Sequence, residues 1–151
     1  MNFNKFTIKS QEAVQEGQQI AQSFEHQQIE NTHILKGIFE VDENVTPFIL
    51  KKLGVNIELL KSVLDKTLES YSKVTGGDIM LSKDASKMLN TATNEAKKMN
   101  DEYVSIEHLI LSILKTNDTT SQILKDQGVT EKGLKASIEE LRKGSNVTSQ
   151  S

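Results

Sequence analysis

Cysteine and tryptophan are absent from the 151 residues, and proline occurs once, at Pro47. Without cysteine there is no disulfide framework, thiolate nucleophile, iron–sulfur cluster or zinc-thiolate site. One proline, five phenylalanines and no long alternating run leave little material for a sheet and lean the composition towards helix. An excess of positive charge is also missing: 18 Lys+Arg against 21 Asp+Glu give a formal charge of -3, so no basic surface is available for nucleic acid. No apolar run approaches the ~20 residues that span a bilayer, and the opening Asn2-Phe3-Asn4-Lys5-Phe6-Thr7 lacks the apolar stretch of a signal peptide. These absences point to a cytoplasmic protein that binds neither nucleic acid nor membrane. A chain of this size buries about two-thirds of its unfolded surface and needs no metal or disulfide to fold.

The apolar residues that are present recur at helical spacing. Ala13, Val14, Ile20, Ala21 and Phe24 make one stripe behind Thr7, which sits where a cap belongs. Ile34, Leu35, Ile38, Phe39 and Val41 make a second after a polar Glu30-Asn31-Thr32 start. A short third helix is expected with Thr46 as N-cap, Pro47 at its first position and Gly54 past its end. Asn56 caps a fourth, carrying Ile57, Leu60, Val63, Leu64 and Leu68.

The same order returns after Gly76-Gly77. A shift of 75 lays Phe6-Thr7 on Leu81-Ser82, Ala21 on Ala96, Ile29 on Val104, His33 on His108 and Ile38 on Ile113. With one residue lost in the loop that follows, a shift of 74 lays Ile49-Leu50-Lys51, Gly54-Val55 and Asn56 on Ile123-Leu124-Lys125, Gly128-Val129 and Thr130. A common helical period alone would not reproduce a C-terminal glycine and a polar cap two residues later, so the chain is a duplication. The expected fold is all-α: a pseudo-twofold, duplicated four-helix repeat of eight helices, with repeats at about 6–69 and 81–143 joined by a link at 70–80. Residues 145–151 have little to bury and read as a flexible linker.

Over residues 1 to about 145 this pattern resembles the double Clp repeat, the N-terminal domain of the Hsp100/Clp unfoldases. The resemblance is carried by Phe6-Thr7, by Ile29-Glu30 with His33-Ile34-Leu35 and its counterpart Val104-Ser105 with Glu107-His108-Leu109, by the Leu53-Gly54-Val55 and Gln127-Gly128-Val129 turns, and by Gly76-Gly77-Asp78-Ile79. That link looks like the disaggregase branch of the family. Glu-His pairs in both repeats would suit phosphoarginine tags, but Thr32-His33 replaces one here. The resemblance implies a non-enzymatic module, monomeric in isolation, that captures unfolded or aggregated polypeptide for a hexameric ATPase ring. An alternative is a docking platform for an adaptor, as in the protease-associated branches. The chain holds no G-x-x-x-x-G-K-[ST] motif, so ATP and magnesium would belong to the ring and no cofactor to this segment.

By the same resemblance, substrate handling falls on Thr7, Asp101 and Glu107. Asp101 and Glu107 flank Tyr103-Val104, an apolar strip bordered by carboxylates that suit the basic residues of unfolded chains. Capping alone also accounts for Thr7, and helix-dipole complementation for Glu107. The seam between repeats is the expected groove, with Phe3, Tyr103 and Ile106 as its lip; Ile106, whose counterpart is the polar Asn31, equally suits a plug between repeats. His33 and His108 read as buried groups bonded to backbone, with metal binding as the alternative, and no metal site is expected. His26 reads as solvated.

Overall fold

The structure is a computed structural model describing residues 2–151. Eight helices are found among the described residues: α1 (Ile8–Ser23), α2 (Asn31–Val41), α3 (Val45–Lys52), α4 (Ile57–Ser70), α5 (Lys83–Lys98), α6 (Ile106–Lys115), α7 (Thr119–Asp126) and α8 (Glu131–Arg142). Their ends follow the duplication. The Thr7 and Ser82 hydroxyls accept from Ser10 N and Ala85 N at 3.1 and 3.0 Å. Asn56 and Thr130 do the same for Leu59 N and Gly133 N, both at 3.1 Å. Each such bond satisfies a donor that the first turn of a helix leaves open.

The start of α3 departs from expectation. Its N-cap is Asn44, not Thr46, and Asn44 makes no side-chain cap bond. Asp42 does the capping instead, its carboxylate accepting from the N–H groups of Asn44, Val45 and Thr46 and from the Thr46 hydroxyl at 2.7 to 3.2 Å. These bonds outweigh burial and hold the Asp42 carboxyl below its ordinary range. The spacing had suggested Thr46 because Pro47 follows it, but an acid four residues upstream reaches the same donors.

Two short parallel pairings, which periodicity did not anticipate, lock the repeats together. β1 (Gln28–Ile29) pairs with β2 (Met80–Leu81), and Phe6 bridges to Val104. Because Phe6 is the counterpart of Leu81 and Ile29 of Val104, each repeat lends its leading residues to an edge of the other. The helices repeat the exchange: α3 packs on α8 and α4 on α7, with α2 against α6 in the middle.

The seam is filled. Ile34, Ile38, Leu109, Ile110 and Ile113 are fully buried there, and α6 is buried without a break from Ile106 to Leu114. Along α2 and α6 side chains therefore close the expected groove among the described residues, and Ile106 belongs to the core, not to a lip. In the first repeat α1 and α2 meet at Gly17 and Gly37, where a Cβ on Gly37 would lie 2.5 Å from the Ala13 carbonyl oxygen. The equivalent positions of the second repeat hold Ala92 and Ser112.

Residues 145–151 form no helix or strand, and several of them bond to the body. Lys143 and Gly144 both take left-handed φ (49° and 85°) and turn the chain back across the body. There the Val147 carbonyl accepts from Glu102 N, and the Gln150 carbonyl from Ile8 N, each at 2.8 Å.

Candidate functional site

The Phe6–Val104 bridge gathers the sequence-predicted residues at one corner, where the start of α1, the segment 101–105 and the end of α8 converge. Thr7 N donates to the Val104 carbonyl at 2.9 Å, and Val104 N to the Lys5 carbonyl at 2.7 Å. The corner has a surface layer and a buried layer.

The surface layer is apolar with charges beside it. Phe3 and Tyr103 are half-buried, and Ile8 is 52% exposed. The Phe3 ring meets Phe6 edge-on at 5.0 Å between centroids, which pins it to the body. The Lys5 ammonium lies 5.9 Å from the centre of the Tyr103 ring. Glu102 and Lys5 are exposed. Thr7 is buried, its hydroxyl committed to Ser10, so it shapes the corner without presenting a group to a visitor.

Asp101 and Glu107 form the buried layer, contrary to the expectation that they border an accessible strip. The Asp101 side chain is fully buried and that of Glu107 is 7% exposed. Arg142 lies between them, donating from Nε to Glu107 Oε2 and from Nη1 to Asp101 Oδ1, each at 2.9 Å. Asp101 accepts further bonds from Val147 N at 2.9 Å and from His108 Nε2 at 2.7 Å. The His108 tautomer follows from its other nitrogen: Nδ1 accepts from Ser105 N at 2.8 Å, so the proton sits on Nε2. Burial alone would raise the Asp101 carboxyl, but the Val147, Arg142 and His108 bonds outweigh it and keep it below the ordinary range. Burial likewise lowers His108 despite the two carboxylates. With His108 neutral, two carboxylates share one guanidinium, and both acids are bonded and buried under the surface layer.

Arg142 was missed in the sequence, although a signal was there. Its counterpart Leu68 is a core residue, and the counterparts of Asp101 and Glu107 are His26 and Thr32. Three charges thus appear together in one copy only, which marks them as partners.

The first repeat fills the same place with neutral groups. His26, expected to be solvated, is 96% buried by exposure (4% remaining), and its Nδ1 lies 2.8 Å from His33 Nε2. His33 Nδ1 accepts from Glu30 N at 2.9 Å, so His33 donates through Nε2 and His26 carries its own proton on Nε2. Burial first, and then the neighbouring His26 ring, push the His33 pKa down to about 4. The Thr32 hydroxyl bonds to those of Tyr71 and Thr120 at 2.7 and 2.8 Å. Among the described residues no group of three or more metal-binding side chains gathers.

Beside the corner, and sharing Arg142 and Asn146 with it, an open cleft of about 660 Å³ lies between α5 and α8, with Met99 and Ile138 at its floor and Lys98, Lys135 and Glu139 on its rim. No helix of the described residues is long and apolar enough to cross a membrane.

A duplicated all-helical body, locked by exchanged edges and built over one charged and one neutral buried cluster, defines a double Clp repeat module. The family model described as "Clp repeat (R) N-terminal domain" matches residues 5–147, and the chain belongs to that family. It is 54% identical over its whole length to the chaperone protein ClpB of Bacteroides thetaiotaomicron and 44% identical to that of Porphyromonas gingivalis, spanning 18% of each. Among solved structures, the Hsp104 N-terminal domain of Candida albicans has the same fold, with a TM-score of 0.86 at 18% identity over 97% of both chains.

Proposed function

We propose that this chain is the substrate-recognition module of an ATP-dependent protein disaggregase, capturing unfolded or aggregated polypeptide for threading by an ATPase ring. The observation that carries this reading is the surface layer of the corner. Phe3, Ile8 and Tyr103 offer apolar area on a rigid base, while the charges beneath them are already paired. Unfolded chains expose apolar side chains, which folded proteins bury, so such a surface discriminates by folding state. Similarity to ClpB chaperones over 18% of their length supports placing the ring, with its ATP and magnesium, in the rest of the protein. The module itself is then non-enzymatic, cytoplasmic, monomeric in isolation and free of cofactors.

The test is an NMR titration with a reduced, carboxymethylated lactalbumin as a permanently unfolded probe. Localised shifts at Phe3, Ile8 and Tyr103 that persist in high salt are expected; native lactalbumin should produce none. An unshifted corner at saturating probe would overturn the assignment. A second reading, docking of a folded adaptor, is favoured by the α5–α8 cleft, whose apolar floor and charged rim suit a discrete partner. Shifts centred on Met99 and Ile138 would mark that use.

A further inference from the structure

The neutral cluster of the first repeat leaves one donor unanswered. The His26 ring is held on three sides: Phe24 stacks on it at 5.2 Å between centroids, Tyr71 meets it edge-on at 5.5 Å, and Nδ1 accepts from His33 Nε2 at 2.8 Å. With Nδ1 accepting, the proton of His26 lies on Nε2, on the side of the ring away from His33. That nitrogen is buried and has no hydrogen-bond partner among the described residues. Buried N–H groups are seldom left so, because the donor has given up water and gained nothing in return.

His26 also lines an open pocket of about 260 Å³ between the end of α1 and the link that follows α4. Its counterpart in the second repeat, Asp101, is met by Val147 N at 2.9 Å. In the first repeat the chain after α4 bonds one residue earlier, from Val74 N to the Glu25 carbonyl at 2.9 Å. The left-handed pair Gly76 and Gly77, at φ 80° and 84°, then carries it round the pocket.

The walls are rich in donors and hold one acid. Gln22 and Gln27 bring side-chain amides, and a Cβ on Gly77 would lie 3.5 Å from Gln27 Nε2, which places that amide at the turn. The N–H groups of Thr75, Gly76 and Gly77 enter no backbone hydrogen bond among the described residues. Burial, and after it the positive charge of Lys73, lower the His26 pKa and keep the ring a neutral donor. An occupant that accepts hydrogen bonds and carries negative charge suits this end. The acid is Glu25, whose charge disfavours a doubly charged anion. Val74 and Ile79 supply apolar wall, which suits a short alkyl chain.

We infer that this pocket is a binding site for a small monocarboxylate, its oxygens accepting from His26 Nε2 and its alkyl end lying against Val74 and Ile79. None of Phe3, Ile8 and Tyr103 lines the pocket, so the site is separate from the apolar surface of the corner. An occupant bridges the end of α1 to the link between the repeats.

The experiment is an NMR titration of the isotope-labelled 1–151 chain with sodium butyrate at constant ionic strength. Butanamide, the uncharged isostere, and sulfate, the dianion, are the comparisons. Butyrate should give saturable shifts of His26 Nε2 and of the Gly76 and Gly77 amides, with an affinity about tenfold or more above that of either comparison. His26→Phe keeps a ring in place but removes the donor, and should weaken butyrate about tenfold or more; thermal melts verify that it is folded. Lys73→Gln changes an exposed position, leaves the interior intact, and should weaken butyrate by about two- to fivefold. That variant decides the question should His26→Phe fail to fold. Shifts that do not saturate, equal affinity for butanamide or sulfate, or butyrate binding unaltered by Lys73→Gln overturn the site.

Discussion

Acid should weaken this fold through its histidines, because all three are buried and all have lowered pKa values. For His33 the folded value is about 4 against an ordinary 6.5. Above about pH 6.5 the ring is neutral in both states and the shift contributes nothing to the pH dependence. As pH falls below that, the unfolded chain takes up the proton first, so stability falls with pH until the folded value is reached. At about pH 4.5 the linkage amounts to about 2.5 kcal/mol for His33 alone. His26 and His108 act in the same direction. Geometry gives the same sign independently: His33 Nδ1 is held by the Glu30 N–H and Nε2 already donates to His26, so a second proton must break a bond. Urea denaturation at about pH 7.5 and pH 4.5 measures the loss, and His33→Gln should remove most of its own share. The histidine ring protons provide the direct readout by NMR. A His33 resonance titrating near its ordinary value would refute the argument, as would stability that is flat between those two conditions.

Two further expectations concern packing. Arg142→Met leaves the Asp101 and Glu107 carboxylates buried without their counter-charge, and should cost about 3–5 kcal/mol, read as a lower urea midpoint at neutral pH. Gly37→Ala adds a Cβ that would lie 2.5 Å from a backbone oxygen of α1, so despite a gain of about 1 kcal/mol in helix propensity it should lower the melting temperature. The control is Gly133→Ala: its Cβ meets the tip of Leu53 and the Thr130 hydroxyl at 2.9 Å, side-chain atoms better able to move than the Ala13 carbonyl, and the change should be milder.

The helices and their pairing were legible because they rest on local rules: Thr7 and Ser82 announce the same cap, and Gly54 and Gly128 the same left-handed exit, at φ 73° and 93°. Boundaries failed where a distant group did the local work, as at α3, where Asp42 reaches forward past the expected Thr46 cap. The candidate site was legible as a place but not as a set of roles. Phe6 and Val104 were matched to the right counterparts, and their pairing brings Thr7, Phe3 and Tyr103 to one corner. Which of the acids would face water could not follow from residues 101–107 alone, because Arg142, which buries them, arrives from the far end of the second repeat. The bonds of the tail were not legible for a related reason: composition measures what a segment can bury, whereas Val147 and Gln150 bond through their backbone and a side-chain amide.

The unlike fillings of the two equivalent clusters constrain how the copies could have drifted apart. An acid arriving alone at position 101 or 107, over an apolar neighbour such as Leu68 provides in the other copy, would have been sealed from water with no counter-ion. The guanidinium is the member with a route outward, since its side chain keeps 12% exposure where the two acids keep 0% and 7%. A long basic side chain can reach solvent by its tip before it has a partner. The three charges therefore stand or fall together: in this fold an acid at 101 or 107 is tolerable only with a base at 142 to meet it.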